Sequence, residues 1–115
     1  AGLIAVHAVQ LNDEEIDLLK EAAGSVAHCV SSNLKLASGI APVGKLLSAG
    51  VNTGLGTDGA ASNNRLDMLC EMRTAALLAK GASGDPTAPS TGLAPCDSTP
   101  ASARSRQASA RIWSR

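Results

Sequence analysis

The chain has 115 residues, a formal net charge of zero, 44% hydrophobic side chains and a single aromatic residue, Trp113. That length allows at most one small domain and excludes a complete barrel enzyme of about 250 residues. The neutral total leaves no footprint for nucleic acid or an anionic membrane, but it hides an asymmetry: residues 1–100 carry ten acids and six bases, net −4, whereas residues 101–115 carry four arginines and no acid, net +4.

Cys29, Cys70 and Cys96 stand far apart with no CxxC pair, which fits neither a disulfide-stapled module nor a zinc finger and points to a reduced, cytoplasmic setting. No apolar run approaches the roughly 20 residues that cross a bilayer, and the opening AGLIAVHAVQ lacks the basic start and long apolar core of a signal peptide. An opening without Met that reads at once as a strand is expected of a piece of a longer protein.

In chain order, the first 80 residues alternate short apolar runs with stretches of helical period, a βαβα rhythm. Leu3 to Val6 reads as a strand covered on both faces. Asn12 and Glu15 form a capping box, Leu11 and Ile16 a hydrophobic staple, and Ile16, Leu19, Ala22 and Ala23 the inward stripe of a first helix that Gly24 ends. Ser25 to Cys29 is the second strand, followed by SSNLKLASG as a long polar loop. Ile40, Val43, Leu46 and Leu47 mark a second helix with Pro42 in its first turn and Gly50 at its end. Val51 to Gly56 is the third strand by position, although its residues are poor strand formers. The turn-rich TDGAASNN then leads to a third helix, capped by Asn63 or Asn64, with Leu66, Leu69, Met72, Ala76 and Leu77 as its core stripe up to Lys80. Beyond Gly81 the periodicity stops: four of the five prolines and only three large apolar residues, Leu93, Ile112 and Trp113, follow, a composition too poor in apolar surface to offset its ordering entropy. Its Ala, Arg, Ser, Pro and Gly bias is also what GC-rich coding DNA gives when read out of frame.

Three polar groups fall at equivalent places in the three βα units: His7, His28 and Asp58. In a parallel α/β sheet or barrel the C-terminal strand ends open on one face, where active sites are built, so all three point to one rim. Each has a structural alternative, the histidines as satisfied core groups and Asp58 as a turn cap. Imidazole and carboxylate together suit a divalent metal such as zinc, yet such a site needs at least three protein ligands, and the chain has no HxH and no HExxH. GLGTDGAA and ASGIAPVG match neither GxGxxG nor GxxxxGK[ST], so no nucleotide-phosphate cradle is expected.

The stretches AVHAVQLNDEEIDLL, SVAHCVSSNLKLASGIAPV and GLGTDGAASNNRLDMLCEMRTAALLAK resemble the amidohydrolase superfamily, and within it the 5-methylthioadenosine/S-adenosylhomocysteine deaminase group, near the triazine hydrolases, over about residues 1–85. The resemblance implies a fragment of a (β/α)₈ TIM-like metal-dependent hydrolase barrel, its last three βα units (strands six to eight), to which composition adds a disordered tail. It also implies zinc, or another divalent metal such as iron, that activates water to displace ammonia from an aminopurine. On that likeness His7 helps orient the water, Asp58 binds the metal and takes a proton from the water, and His28, Ser31, Ser32 and Asn33 line the substrate. The family's HxH pair, its strand-five ligands and its substrate clamps would lie before Ala1, and Val30 stands where the family usually has Pro.

These readings divide the chain into residues 1–82, a partial barrel, and 83–115, a low-complexity tail. The expected function is hydrolytic deamination of an aminopurine nucleoside by the full-length protein, with a small-molecule aminopurine or triazine-like substrate as partner, no nucleic acid, no membrane, and homo-oligomerisation open. The isolated chain is expected to be inactive. Alternatives are a chlorohydrolase or a guanine or cytosine deaminase of the same superfamily, or a non-enzymatic small α/β module whose basic tail binds an acidic partner.

Overall fold

The computed structural model describes residues 2–88 and the backbone of Ala94–Pro95. Three strands, β1 (Ile4–Val6), β2 (Ser25–His28) and β3 (Asn52–Leu55), pair in parallel and in order, and the two-residue β4 (Ala94–Pro95) adds to β3 at Gly54 and Leu55. Three helices carry the connections: α1 (Asp13–Glu21), α3 (Val43–Ala49) and α5 (Met68–Ser83), with the short α2 (Val30–Lys35) and α4 (Ala60–Asn63) at the strand ends. No helix among the described residues is long and apolar enough to cross a membrane.

The local signals work where several agree. Asn12 Oδ1 accepts from the Glu15 N–H and Glu15 Oε2 from the Asn12 N–H, both at 2.9 Å, the reciprocal box that fixes the start of α1. Gly50 ends α3 with φ +80°, a left-handed position that a Cβ would strain. Gly24 is required for space: a Cβ there would lie 2.8 Å from Leu19 Cδ2 and 3.0 Å from the Leu19 carbonyl oxygen.

Helices cover one face of the sheet. Ile16, Leu19, Val26, Leu46 and Val51 form one core cluster under α1 and α3, and Val30, Ala41, Val43, Leu55 and Ala75 form the other under α3 and α5. The register sets Ala5, Val26 and Thr53 side by side, so Ile4 and Val6 belong to the opposite face. They are 55% and 52% exposed, and β1 is therefore covered on one face, not on both as its apolar run suggested.

Other boundaries also differ from the sequence reading. Of SSNLKLASG, the first half is helix α2, where Val30 packs into the core, the buried Ser32 bonds to Asp58 and the Oδ1 of the buried Asn33 meets His7. α3 starts at Val43 with Pro42 as its cap residue, and Ile40 is exposed. Ala22 and Ala23 are exposed, leaving Ile16 and Leu19 to anchor α1. The third helix is two: α4 ends at Asn63, and α5 is capped by Asp67, whose Oδ1 accepts from the N–H groups of Leu69 and Cys70. Most consequential, α5 buries Glu71 and Ala75, with Met68 and Leu78 packed against the core, while Leu69, Met72 and Leu77 face outward.

Of the segment read as a tail, an Asx turn at Asp85–Thr87 leads to the buried Ala88, and Ala94–Pro95 extends the sheet. Residues 89–93 and 96–115, including Ile112 and Trp113, lie outside the described residues.

Candidate active site

β1, β2 and β3 run parallel, so their C-terminal ends lie along one rim, and His7 and Asp58 both follow a strand end on it. Both also sit in left-handed backbone, with φ of +69° and +60°. At His7 the Ala8 N–H bonds back to the Val6 carbonyl at 2.8 Å, closing a tight γ-turn, and Ala8 itself has φ +49°. Non-glycine residues held there carry strain that concentrates at functional sites.

The two side chains converge, His7 Nε2 lying 3.9 Å from Asp58 Oδ2. Two consecutive residues of α2 hold them. The Ser32 hydroxyl donates to Asp58 Oδ2 at 2.6 Å, and Asn33 Oδ1 lies 2.9 Å from His7 Nδ1. Asp58 gains two more donors, the Ser62 hydroxyl at 2.8 Å and the Gly59 N–H at 2.7 Å. The hydroxyls of Ser32 and Ser62 and the Gly59 N–H, with a smaller contribution from His7, depress the Asp58 carboxyl to about 2. It is a carboxylate at any physiological pH and can only accept protons.

Beneath the rim lies a buried acid that the sequence reading missed. Glu71 of α5 is 1% exposed; its Oε2 accepts from the Ser31 N–H at 3.2 Å and its Oε1 from Asn63 Nδ2 at 2.7 Å. Asn63 Nδ2 also donates to the Thr57 carbonyl at 2.6 Å, one residue before Asp58. Glu71 thus ties α5 to the start of α2 and to the strand end that carries Asp58. The available signal was an acid on an otherwise apolar helical stripe, Met68, Glu71, Ala75 and Leu78. Ser62, four residues after Asp58, carried none beyond its turn-forming type.

The site residues expected from sequence therefore separate. His7, Ser32, Asn33 and Asp58 come together. His28 does not bond to them: it shares the face of Val26, is 2% exposed, and its Nδ1 is buried with no hydrogen-bond partner. Burial lowers its pKa, offset in part by Glu71 and reinforced by His7. Ser31 contributes its backbone N–H to Glu71. His28, Ser32 and Asn33 are each at most 2% exposed. Ser32 and Asn33 hold the two groups that face the rim. A cleft of about 310 Å³ bounded by Ser31, Lys35, Asn63, Asn64, Arg65 and Cys70 includes neither His7 nor Asp58.

A parallel sheet with helices on one face and a histidine–carboxylate pair at its strand ends defines a sector of an α/β enzyme of the barrel type. The family follows from comparison: residues 1–97 match the amidohydrolase family, and the chain belongs to it. It is 64% identical over 85 residues to a 5-methylthioadenosine/S-adenosylhomocysteine deaminase of Moorella thermoacetica, a match covering 74% of this chain and 20% of that protein. An adenosine deaminase from Xanthomonas campestris, solved with bound zinc, superposes with a TM-score of 0.72 at 58% identity, over 75% of this chain and 20% of that one. The zinc complex of atrazine chlorohydrolase from Arthrobacter aurescens superposes with a TM-score of 0.67 at 36% identity, over 70% and 18%. The chain thus spans about a fifth of the length of the relatives it matches, and its fold is the expected partial amidohydrolase barrel.

Zinc in those two structures makes a metal the natural question here. Among the described residues no group of three His, Cys, Asp or Glu side chains is placed to hold an ion. His7 and Asp58 offer two donors where at least three are needed, so the residues of this chain do not fit a metal by themselves.

Proposed function

We propose that this chain is the strand-six to strand-eight sector of a hydrolytic aminopurine deaminase, whose complete form replaces the exocyclic amine of a methylthioadenosine- or S-adenosylhomocysteine-type nucleoside by water. The observation that carries the reading is the convergence of His7 and Asp58 at 3.9 Å, in a chain 64% identical over 85 residues to the Moorella deaminase. Asp58, held ionised by three donors, is the proton acceptor, and His7 orients the water beside it. Asp58 is also the residue we assign to a metal, zinc or iron, in a complete site whose other ligands come from outside this chain. On its own the chain is inactive, because two donors neither hold an ion nor surround a substrate. The partner is a small molecule, not a nucleic acid or a membrane, and the setting cytoplasmic. A chlorohydrolase reading has weaker support, its relative being 36% identical against 64%.

The test is an exchange. The stretch of this chain that aligns with the Moorella deaminase replaces its counterpart there, and ammonia release is followed with 5-methylthioadenosine, S-adenosylhomocysteine and, in parallel, chloride release from a chlorotriazine. We expect deamination within about tenfold of the parent, and a loss of roughly 10²-fold or more in kcat for Asp58→Asn, the scale of a general base. A folded exchange protein that deaminates neither nucleoside, or whose Asp58→Asn variant keeps full activity, overturns the reading.

A further inference from the structure

We propose that Asn33 is a positioning residue that fixes the tautomer of His7, so that His7 Nε2 presents a lone pair, not a proton, to the space beside Asp58. Asn33 is 2% exposed, and its Oδ1 lies 2.9 Å from His7 Nδ1. An amide oxygen only accepts, so the contact requires the proton on Nδ1. Neutral imidazole carries one N–H, and Nε2 is therefore left as an acceptor. That atom faces Asp58 Oδ2 at 3.9 Å, too far for a direct hydrogen bond. Asp58 Oδ2 in turn takes the Ser32 hydroxyl at 2.6 Å, from the residue next to Asn33.

The dipeptide Ser32–Asn33 on α2 thus sets both partners at once, one hydroxyl on the carboxylate and one amide oxygen on the imidazole. The result is two acceptors facing one space. A proton-bearing group between them, such as a water, can donate to both, and His7 Nε2 can donate only after it has first taken a proton. With the opposite tautomer, Nε2–H would point at Asp58 and the space would hold one donor and one acceptor. The use of this arrangement on a hydrolytic water rests on the deaminase reading; the tautomer itself does not.

The experiment is long-range ¹H–¹⁵N correlation NMR of the imidazole nitrogens in the full 115-residue chain, at a fixed pH where His7 is neutral. The expected spectrum of the unsubstituted chain shows a protonated, pyrrole-type Nδ1 and an unprotonated, pyridine-type Nε2 for His7. Asn33→Leu, which removes the acceptor, moves His7 toward the Nε2–H form that an unconstrained histidine side chain favours. Asn33→Asp restores an acceptor oxygen and with it the Nδ1–H form. The unsubstituted chain decides the question even if a variant fails to fold: Nε2–H there means the Asn33 amide is turned over and overturns the proposal. An Nδ1–H signal that persists unchanged in folded Asn33→Leu overturns it equally, since another group then holds the proton. Failure of the exchange enzyme to deaminate, with Nδ1–H confirmed in the chain, counts against the deaminase reading and leaves the positioning role standing.

Discussion

Asp58 Oδ2 receives two hydroxyl protons, from Ser32 and Ser62, while Oδ1 receives the Gly59 N–H, and each of these bonds favours the ionised form. The carboxyl therefore titrates near 2 in the folded chain against an ordinary 3.8, so its contribution to stability is complete above about 4 and is lost as pH falls toward 2. His28 acts earlier. Its folded pKa lies below the ordinary 6.5 because burial disfavours the imidazolium, so the unfolded chain binds a proton first and stability begins to fall once pH drops below about 6.5. Urea unfolding followed against pH should show both losses in that order. Ser32→Ala removes the largest of the three stabilising bonds and should raise the Asp58 value, read from its side-chain ¹³C carboxyl shift; an unchanged value would mean that Ser62 and Gly59 alone suffice. The positions of His7 and Asp58 were legible from sequence, because a polar residue after an apolar run marks a strand end. The roles of Ser32, Ser62 and Asn33 were not, since hydroxyl and amide side chains in a turn-rich stretch read the same whether they bond to their own backbone or to a residue 26 positions away.

At the scale of elements, α5 shows why periodicity alone misplaced a face. Two stripes compete on it, Leu69, Met72, Ala76 and Leu77 against Met68, Glu71, Ala75 and Leu78, and the first is the more apolar. The structure buries the second, where Glu71 accepts from the Ser31 N–H and, beside the Thr57 carbonyl, from the Asn63 amide, so the buried carboxylate has a donor at each oxygen. α2 is the counterpart of this error: five of its six residues, with two serines and an asparagine, read as loop, yet Val30, Ser32 and Asn33 are buried and the helix forms against its partners. Hydrogen bonds between distant elements decide both cases, and a one-dimensional hydrophobic pattern does not contain them. Glu71→Leu keeps the helix and the apolar volume but takes the acceptor from the Ser31 N–H and leaves the Asn63 amide only the Thr57 carbonyl, and we expect a destabilisation of roughly 1–3 kcal/mol in denaturant unfolding. Amide exchange at Ser31 should rise with it. Equal stability with slow Ser31 exchange would show that Glu71 is dispensable to the joint between α5 and α2.

For the whole molecule, the sheet sets the problem. The βα rhythm and the parallel order were legible because helix caps, glycine stops and short apolar runs agree along residues 3–80. Coverage was not, since a strand buried on two faces and a strand buried on one can share the same apolar run. Among the described residues β1 pairs only with β2, so its other edge offers unpaired backbone groups, and Leu3, Ile4 and Val6 are all more than half exposed beside it. α5 adds a second apolar surface on its outer side, with Leu69 77% and Leu77 60% exposed. An open edge with apolar side chains is a template for pairing with another copy, whereas a lone helical stripe offers no backbone partners. The 115-residue chain should therefore self-associate in dilute buffer, through β1 in preference to α5. Sedimentation velocity separates the two surfaces: Ile4→Lys places a charge beside the edge and should raise the monomer fraction, while Leu69→Glu should change it little. The reverse result would make α5 the adhesive face. Unaltered association in both variants would place it outside β1 and α5 altogether.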